Sequence, residues 1–371
     1  MLAKSLVAAE TWRLLDLGGL NPLEAQCLCE AAAITIDRGQ APNTIILCYP
    51  AKPYVCLGFH QELQKEIDEK FCQKQRLPII RRAVGGGAVY LDSGQQFYQI
   101  IASEDSSLVP SEVNRFFEKF LQATVHVYEA LGVPAVYKPI NDVVVNGRKI
   151  SGNGAGKMGR AVVLVGNIIF DLNYDAMAQV LKVPDEKFRD KLTKSMREWV
   201  SSLKRELGYS PSRGHVNKLL VEGYTKIGIK LVPGVLSEEE KEIFDQEVKP
   251  KHLSKDWLYM PEFRHPELRR TRVVKVAENV KIAEGSYKAK KMIHVTIEIA
   301  FGRIRDILIS GDFFMVPEQA LPKLEKELVE SSIDRDEILE RVNQFYNKAK
   351  VQTPGIEPGD LVEAIMKTVE V

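Results

Sequence analysis

Residues 110–131 restrict the fold more than any other stretch. Val113, Phe116, Phe117, Phe120, Leu121, Val127 and Leu131 recur at helical spacing and form one wide apolar face, with Pro110 suited to the opening turn. A helix with such a face must lie on a sheet or on another helix. Strand-like runs stand on both sides of it, at 77–82, 88–91 and 96–102 before and at 133–137, 142–145, 149–151 and 161–172 after. Ahead of these come a helix over 22–37, with Leu23, Cys27, Ala31 and Ile34 in phase, strands over 44–49 and 54–57, and a charged helix over 62–75. Helices and mostly antiparallel strands arranged in blocks predict an α+β fold.

Two polar, glycine-bearing segments flank this helix. The first is Arg81-Arg82-Ala83-Val84-Gly85-Gly86-Gly87-Ala88, where three glycines follow an arginine pair. Glycine has no side chain to hold a ligand away, so such a turn can lay backbone N–H groups against an anion that the arginines neutralise. By itself the run equally suits a flexible hairpin turn with solvated arginines. The second segment runs from Tyr137 to Gly154 and contains Asn141-Asp142 and Asn146-Gly147-Arg148-Lys149-Ile150-Ser151-Gly152. Read alone, it offers an Asx turn after Pro139 and a lysine at a hairpin tip.

Composition narrows the function classes. The 51 basic and 50 acidic residues leave a formal charge of +1, so nothing in the balance points to nucleic acid or an anionic membrane, and any anion site must be local. The longest apolar runs, at 44–47 and 161–165, are strand-sized and far short of a membrane span. The start, Met1-Leu2-Ala3-Lys4-Ser5, lacks the apolar core and cleavage signature of a secretory leader, and a cytoplasmic protein is expected. The five cysteines, Cys27, Cys29, Cys48, Cys56 and Cys72, form no Cys-x-x-Cys pair and have no histidine cluster near them in sequence. Buried structural thiols are expected, not a disulfide framework or a zinc site.

At 371 residues the chain has room for a large domain and a smaller one. A charged helical stretch over 184–206 is followed by a break at 210–214, a helix over 215–227 and a capped helix start at Leu236-Ser237-Glu238-Glu239-Glu240-Lys241. A linker is expected at 249–255, separating a first domain of residues 1–248 from a small α+β domain of residues 256–371. In the latter, Val295, Ile297 and Ile299 alternate with polar residues, a turn at Phe301-Gly302-Arg303 leads into 304–309, and helices over 317–329 and 334–348 follow.

Taken together and in order, Arg81-Arg82, Gly85-Gly86-Gly87-Ala88-Val89, Asn141-Asp142 and Lys149-Ile150-Ser151-Gly152 resemble the lipoate–protein ligases, within the superfamily that includes biotin–protein ligases and octanoyltransferases. Trp12-Arg13-Leu14, Ser195-Met196-Arg197, Trp257 with Phe263, and Gly311-Asp312-Phe313-Phe314 extend the likeness along the chain. The resemblance implies a catalytic domain built on a large mixed or antiparallel sheet, with a fused accessory domain. It implies an enzyme that uses ATP and Mg²⁺ to turn lipoate or octanoate into acyl-adenylate and pyrophosphate, then passes the acyl group to a lysine of a carrier. That carrier would be the E2 subunit of a 2-oxoacid dehydrogenase or a protein of the glycine-cleavage H type, with no nucleic acid or membrane partner.

By the same resemblance Lys149 is the catalytic residue. Arg82 and the amides of Gly85, Gly86 and Gly87 bind phosphate or acyl-adenylate, together with Asn141, Asp142, Ser151, Gly152 and Gly154, and Asp142 is the candidate Mg²⁺ ligand. Leu91, Val165 and Gly166 fall in the acyl pocket, with Leu91 and Val165 standing where relatives commonly carry histidine. Asn153 replaces the usual serine. Three alternatives share the scaffold. An octanoyltransferase needs a cysteine nucleophile, which in the cysteine-dependent relatives closest in sequence lies shortly before the lysine segment, yet no cysteine follows Cys72. A biotin ligase would show a Gly-Arg-Gly-Arg loop. A non-catalytic binder of carrier domains would not need the whole residue set.

Overall fold

The computed structural model describes residues 9–261, 273–277 and 280–369. The first five residues and Phe263 lie outside the described residues. The chain gathers into two compact units: Met1–Cys56, Asp68–Ile80 and Val89–Leu253 form the first, and Leu57–Ile67, Arg81–Ala88 and Ser254–Val371 the second. The division is therefore not purely sequential, because two short internal segments belong with the C-terminal part.

The first unit is built on strands β1 (Glu10–Leu20), β2 (Thr44–Pro50), β3 (Tyr54–Leu57), β4 (Ile79–Arg81), β5 (Val89–Leu91), β6 (Gln95–Ser103), β7 (Ala135–Lys138), β8 (Asp142–Val145), β9 (Arg148–Met158), β10 (Ala161–Ile169) and β11 (Ile229–Pro233). Eight of them make one sheet in the order β11-β1-β2-β6-β10-β9-β8-β7, and a small sheet runs β4-β3-β5. The large sheet is mixed: β1 pairs in parallel with both β11 and β2, and the pairs from β2 to β7 are antiparallel. The sequence reading assigned no element to 10–20, because only Trp12 and Leu15 of β1 turn buried side chains to the core and the alternation is too sparse to show.

The amphipathic stretch forms the helix Val113–Ala130, whose Phe117 and Phe120 are fully buried. Burial of each such ring contributes about 1.5–3 kcal/mol. Trp12 stacks on Phe120 at 5.8 Å between ring centroids. On its other flank lies the helix Arg213–Lys226, where Gly223 allows the close approach: a Cβ there would sit 2.7 Å from the Cα of Ala123. The helix Pro22–Asp37 is held by a capping box between Asn21 and Glu24 and is buried nearly all round, with Ala31, Ala32 and Ala33 in contact with the core. The helix start expected at Ser237 is present, Ser237 and Glu240 forming a second capping box, and Glu240 also accepts a 2.9 Å hydrogen bond from Arg13 of β1.

Four expected elements differ. The charged helix over 62–75 is two short helices, Leu63–Glu66 and Glu69–Gln75, because Asp68 caps the second. The linker expected at 249–255 is mostly helical, over Lys249–Leu253, with His252 buried. The charged helix over 184–206 is broken into Glu186–Trp199 and Leu203–Leu207, and the strand at 149–151 is the start of an eleven-residue strand, β9, that runs to Met158 through Gly152, Gly154 and Gly156. Glycine lowers strand propensity, which hid the continuation.

In the second unit β12 (Val273–Ala277), β13 (Val280–Lys288), β14 (Met292–Ala300) and β15 (Arg303–Gly311) form an antiparallel sheet in that order. The expected hairpin is β14–β15, turned at Phe301 and Gly302, both with positive φ (52° and 74°). Val295, Ile297 and Ile299 are buried against Leu321, Leu324, Ile338 and Val342, which come from the helices Ala320–Leu328 and Arg335–Ala349. A further helix, Pro358–Met366, completes this core. No helix among the described residues is long and apolar enough to cross a membrane.

Glu325 faces this apolar layer. It keeps some exposed surface, but its carboxylate accepts a 2.7 Å hydrogen bond from the Ile309 amide, and burial, reinforced by Asp306 and Glu62, pushes its pKa up to about 8. Glu66, raised to about 7 by burial and by Asp312, acts in the same direction. The folded unit thus holds protons that the unfolded chain releases from about pH 4.5 upward, so stability is present at low pH and is lost as pH rises towards 8. We expect Glu325→Gln to flatten this slope and to stabilise the protein by a few kcal/mol at about pH 8.5 while changing little near pH 5. Urea unfolding at the two pH values checks it; equal wild-type stability at both would contradict the assignment.

Candidate active site

The hairpin β8–β9 turns at Asn146 and Gly147, both with positive φ (48° and 78°), the Asn-Gly pair that a two-residue turn requires. Its register pairs Asp142 with Gly152, Val143 with Ser151 and Val144 with Lys149, so Ile150 is the extra residue of a bulge. The bulge re-aims the strand, and the Nζ of Lys149 comes 2.7 Å from Oδ1 of Asp142. Both side chains keep about a third of their surface, at 38% and 33% exposure, which leaves this ion pair open to a ligand. The Lys149 backbone is braced from behind: the amide of Ser201 donates to its carbonyl at 2.7 Å, and Lys149 bridges to Val200. The interruption of the helix at 200–202 therefore has a structural use, because a continuous helix would have no free amide to offer.

Gly152 sits under the lysine. A Cβ there would meet Lys149 Cε at 3.2 Å and Nζ at 3.4 Å, and its amide donates to Oδ1 of Asn167 at 2.9 Å. Behind this edge lies a buried polar network. The Tyr98 hydroxyl donates to Asn153 Oδ1 and lies 3.1 Å from Ser151 Oγ, while Asn153 Nδ2 donates to the Asn141 carbonyl at 2.9 Å and Asn141 Nδ2 returns a hydrogen bond to the Asn153 carbonyl. Burial pushes the Tyr98 phenol up to about 12, so it stays a neutral donor. Tyr128 closes the layer by donating to the Ile150 carbonyl at 2.7 Å.

The sequence-nominated residues fall into three groups. Asp142, Lys149 and Gly152 come together at the partly open edge, while Asn141, Ser151 and Gly154 are buried beside them. Gly166 abuts the network, and Val165 pairs with Gly154 and packs with Leu91 against the apolar core that includes Tyr54, Cys56 and Phe97. Arg82, Gly85, Gly86 and Gly87 belong to the second unit. There the Arg82 guanidinium donates to the carbonyls of Gly85 at 2.8 Å and Gly87 at 3.0 Å, and the Gly86 amide donates to the Phe313 carbonyl at 3.1 Å. Gly86 has φ 98°, and a Cβ on Gly85 would overlap that same carbonyl.

The expectation that both arginines face an anion is corrected for Arg81. It is fully buried, and its guanidinium donates to the carbonyls of Gly58, Phe59 and Gln61 at 2.9, 2.8 and 2.7 Å and to that of Leu258 at 2.9 Å. Asn167, Tyr98 and Ser201 escaped the sequence reading. Only Asn167 left a signal, an amide directly after Gly166 inside an otherwise apolar strand.

Two glycine substitutions separate fold from site. At Gly166 a methyl group would overlap Asn153 Oδ1 and the Tyr98 ring, which are fixed, and we expect Gly166→Ala to cost about 1–3 kcal/mol in chemical denaturation. At Gly152 the neighbours are the mobile end of Lys149, so Gly152→Ala should stay within about 0.5 kcal/mol of wild type while lowering turnover; an equal loss of stability in both variants would contradict this.

The catalytic-domain signature of the lipoyl protein ligase A/B group matches residues 21–225, and that of the bacterial lipoate protein ligase C-terminus matches residues 290–365. The lipoate-protein ligase LplJ of Bacillus subtilis is 30% identical over 308 residues, which cover 80% of this chain and 85% of its own. The octanoyltransferase LipM of Moorella thermoacetica is 29% identical over 270 residues, 67% of this chain and 98% of the relative. Among solved structures, the bi-partite lipoate protein ligase of Thermoplasma acidophilum aligns with a TM-score of 0.58 at 26% identity, over 67% of this chain and 96% of that one. LipL1 of P. falciparum in complex with lipoate shares the fold with a TM-score of 0.64 at 17% identity, over 92% and 95%. With the catalytic signature spanning more than half of its length and the C-terminal signature following in order, the chain belongs to the lipoyl protein ligase A/B family, whose members include lipoate ligases and octanoyltransferases.

Proposed function

We propose that the protein is an ATP-dependent lipoate–protein ligase, acting on lipoate or octanoate and on a lipoyl carrier domain. The observation that carries this reading, against an ATP-independent acyl transfer, is the placement of the thiols. No cysteine follows Cys72, and all five are buried. Burial, with Asp16 beside Cys48 and Asp68 beside Cys72, pushes these two thiols up to about 12 and about 11. A thiol held so far above neutral pH is a poor acyl acceptor. Two comparisons agree with it: the LipM relative spends nearly its whole length on two thirds of this chain, whereas the ligase LplJ matches 80% of it.

In the first step a carboxylate oxygen attacks the α-phosphorus of ATP and the bond to pyrophosphate breaks, giving acyl-adenylate. In the second the neutral amine of a carrier lysine attacks the acyl carbonyl, AMP leaves with its bonding electron pair, and the amine loses a proton. Both transition states gather negative charge on oxygen. The Lys149 ammonium, partly exposed and oriented by Asp142, is a compact cation that can follow that charge from phosphate to acyl oxygen. Gly152 keeps a side chain out of its way, and Asn141 and Ser151 hold the strand edge rigid through the Tyr98 network. Asp142 has a second carboxylate oxygen beyond the one facing Lys149, which fits the habit of Mg²⁺ to take one carboxylate and several phosphate oxygens, and the ion when bound would neutralise the triphosphate.

Arg82 and the amides of Gly85, Gly86 and Gly87 are assigned to phosphate or carboxylate oxygens. For that, the Gly86 N–H must exchange the Phe313 carbonyl, and Arg82 the carbonyls of its own loop, for the ligand. Leu91 and Val165 join the apolar cluster on the face of β10 opposite to the one on which Gly166 meets Tyr98 and Asn153, and that apolar face suits a hydrocarbon chain. The carrier is assigned to the E2 or H-protein class; the T. acidophilum relative was studied with its E2 lipoyl domain. A cytoplasmic setting, where ATP is supplied, is part of the same proposal.

Pyrophosphate release with ATP, Mg²⁺ and lipoate tests the proposal. Wild type should release pyrophosphate and, when a carrier is added, shift its mass by one acyl group. Lys149→Ala should lower both by about 10²–10³-fold with little change in melting temperature, since the side chain is partly exposed. Acyl transfer between two carriers without ATP, and without pyrophosphate, would replace the ligase reading with a transferase; normal product from Lys149→Ala would remove the lysine from the mechanism.

A further inference from the structure

The first unit contains a second cluster of reactive groups that the acyl chemistry does not use. Cys27 and Glu30 lie three residues apart on one face of the helix Pro22–Asp37, and His252 comes from the helix Lys249–Leu253. All three are buried, at 0%, 4% and 4% exposure, and a thiol sulfur, a carboxylate oxygen and an imidazole nitrogen lie within 4.8 Å of one another. The Glu30 carboxylate is met by His252 on one oxygen and by the Lys251 ammonium on the other.

Two facts bear on what this cluster can hold. Its donors are a thiol, an imidazole and a carboxylate, the set that Zn²⁺ takes at bond lengths of about 2.0–2.3 Å, for which donor atoms stand about 3.4 Å apart around a tetrahedron. A 4.8 Å limit on every pair admits that arrangement, provided that His252 and Glu30, now hydrogen-bonded, part by about 1 Å. The charges also balance. A thiolate from Cys27 and the carboxylate of Glu30 would cancel a divalent ion, and Lys251, whose side chain keeps 37% of its surface, can release Glu30 and turn to solvent. The set is not legible in the sequence, because His252 stands more than 200 residues from its two partners.

We propose that Cys27, Glu30 and His252 form a binding site for a thiol-preferring divalent cation of the Zn²⁺ class, in competition with the Lys251 ammonium. Binding forms the metal–sulfur bond, releases the thiol proton to solvent and displaces Lys251. The remaining tetrahedral position takes a water, as in other sites with three protein ligands. The ion would pin the helix Lys249–Leu253 to the helix Pro22–Asp37.

The test uses the full chain, stripped with a chelator and titrated with Zn²⁺ or with Co²⁺ as a spectroscopic probe. One equivalent should bind, Co²⁺ should give a sulfur-to-metal charge-transfer band, and Zn²⁺ should protect Cys27 from alkylation as read by peptide mass spectrometry. Cys27→Ser and His252→Gln should each abolish the band, and Lys251→Met should tighten binding at least several-fold by removing the competing cation. Because the alkylation measurement needs no variant, a misfolded substitution does not spoil the test. Absence of a thiolate band, equal alkylation of Cys27 with and without Zn²⁺, or no gain in Lys251→Met would overturn the proposal.

Discussion

A guanidinium removed from water must have its donors met by protein, and Arg81 meets this condition wholly with backbone carbonyls. Those carbonyls come from residues 58–61 and from Leu258, so one side chain sets the path of three separate segments of the second unit. The Trp257 indole donates back to the Arg81 carbonyl at 2.9 Å and its ring meets Phe59 edge-on. Everything that the glycine loop does depends on this anchor, because Arg82 and Gly85 to Gly87 follow it directly. Were the anchor lost, four carbonyls would need new donors, and each buried acceptor left unpaired costs about 1–3 kcal/mol.

The neighbouring arginine shows why composition cannot assign roles. Arg81 and Arg82 are identical in sequence terms, yet one is locked in the interior and the other remains half-buried with its guanidinium on loop carbonyls that a ligand can replace. His60, beside Arg81, follows the same logic: burial and the adjacent guanidinium lower its pKa to about 3, so it stacks on Phe313 as a neutral ring.

Local patterns carried the parts of the fold that depend on one face. The helix Val113–Ala130, the β14–β15 hairpin and the capping box at Ser237 were all legible, because periodicity or cap chemistry fixes them within a few residues. Elements whose shape depends on distant partners were not. β1 reads as nothing in particular because it is a strand between two parallel neighbours, and β9 was cut short because its glycines look like breakers until β10 is placed beside them. At the site, Asn141-Asp142 and Lys149 through Gly152 stood out as a motif, but Asn167, Tyr98 and Ser201 come from other strands and a helix break. Their hydrogen bonds exist only after the sheet has formed.

The tie between Arg81 and Leu258 closes a loop of 177 residues, and the Gly86 amide waits on Phe313, further along still. During synthesis the glycine loop leaves the ribosome long before either partner exists, so it must remain without its final packing while the residues between them are made. Closing so long a loop has an entropic cost that is met only once the C-terminal core is in place. Ordering of the loop should therefore coincide with completion of the chain, and a ribosome-bound intermediate would carry a finished lysine hairpin while the loop is still unfinished.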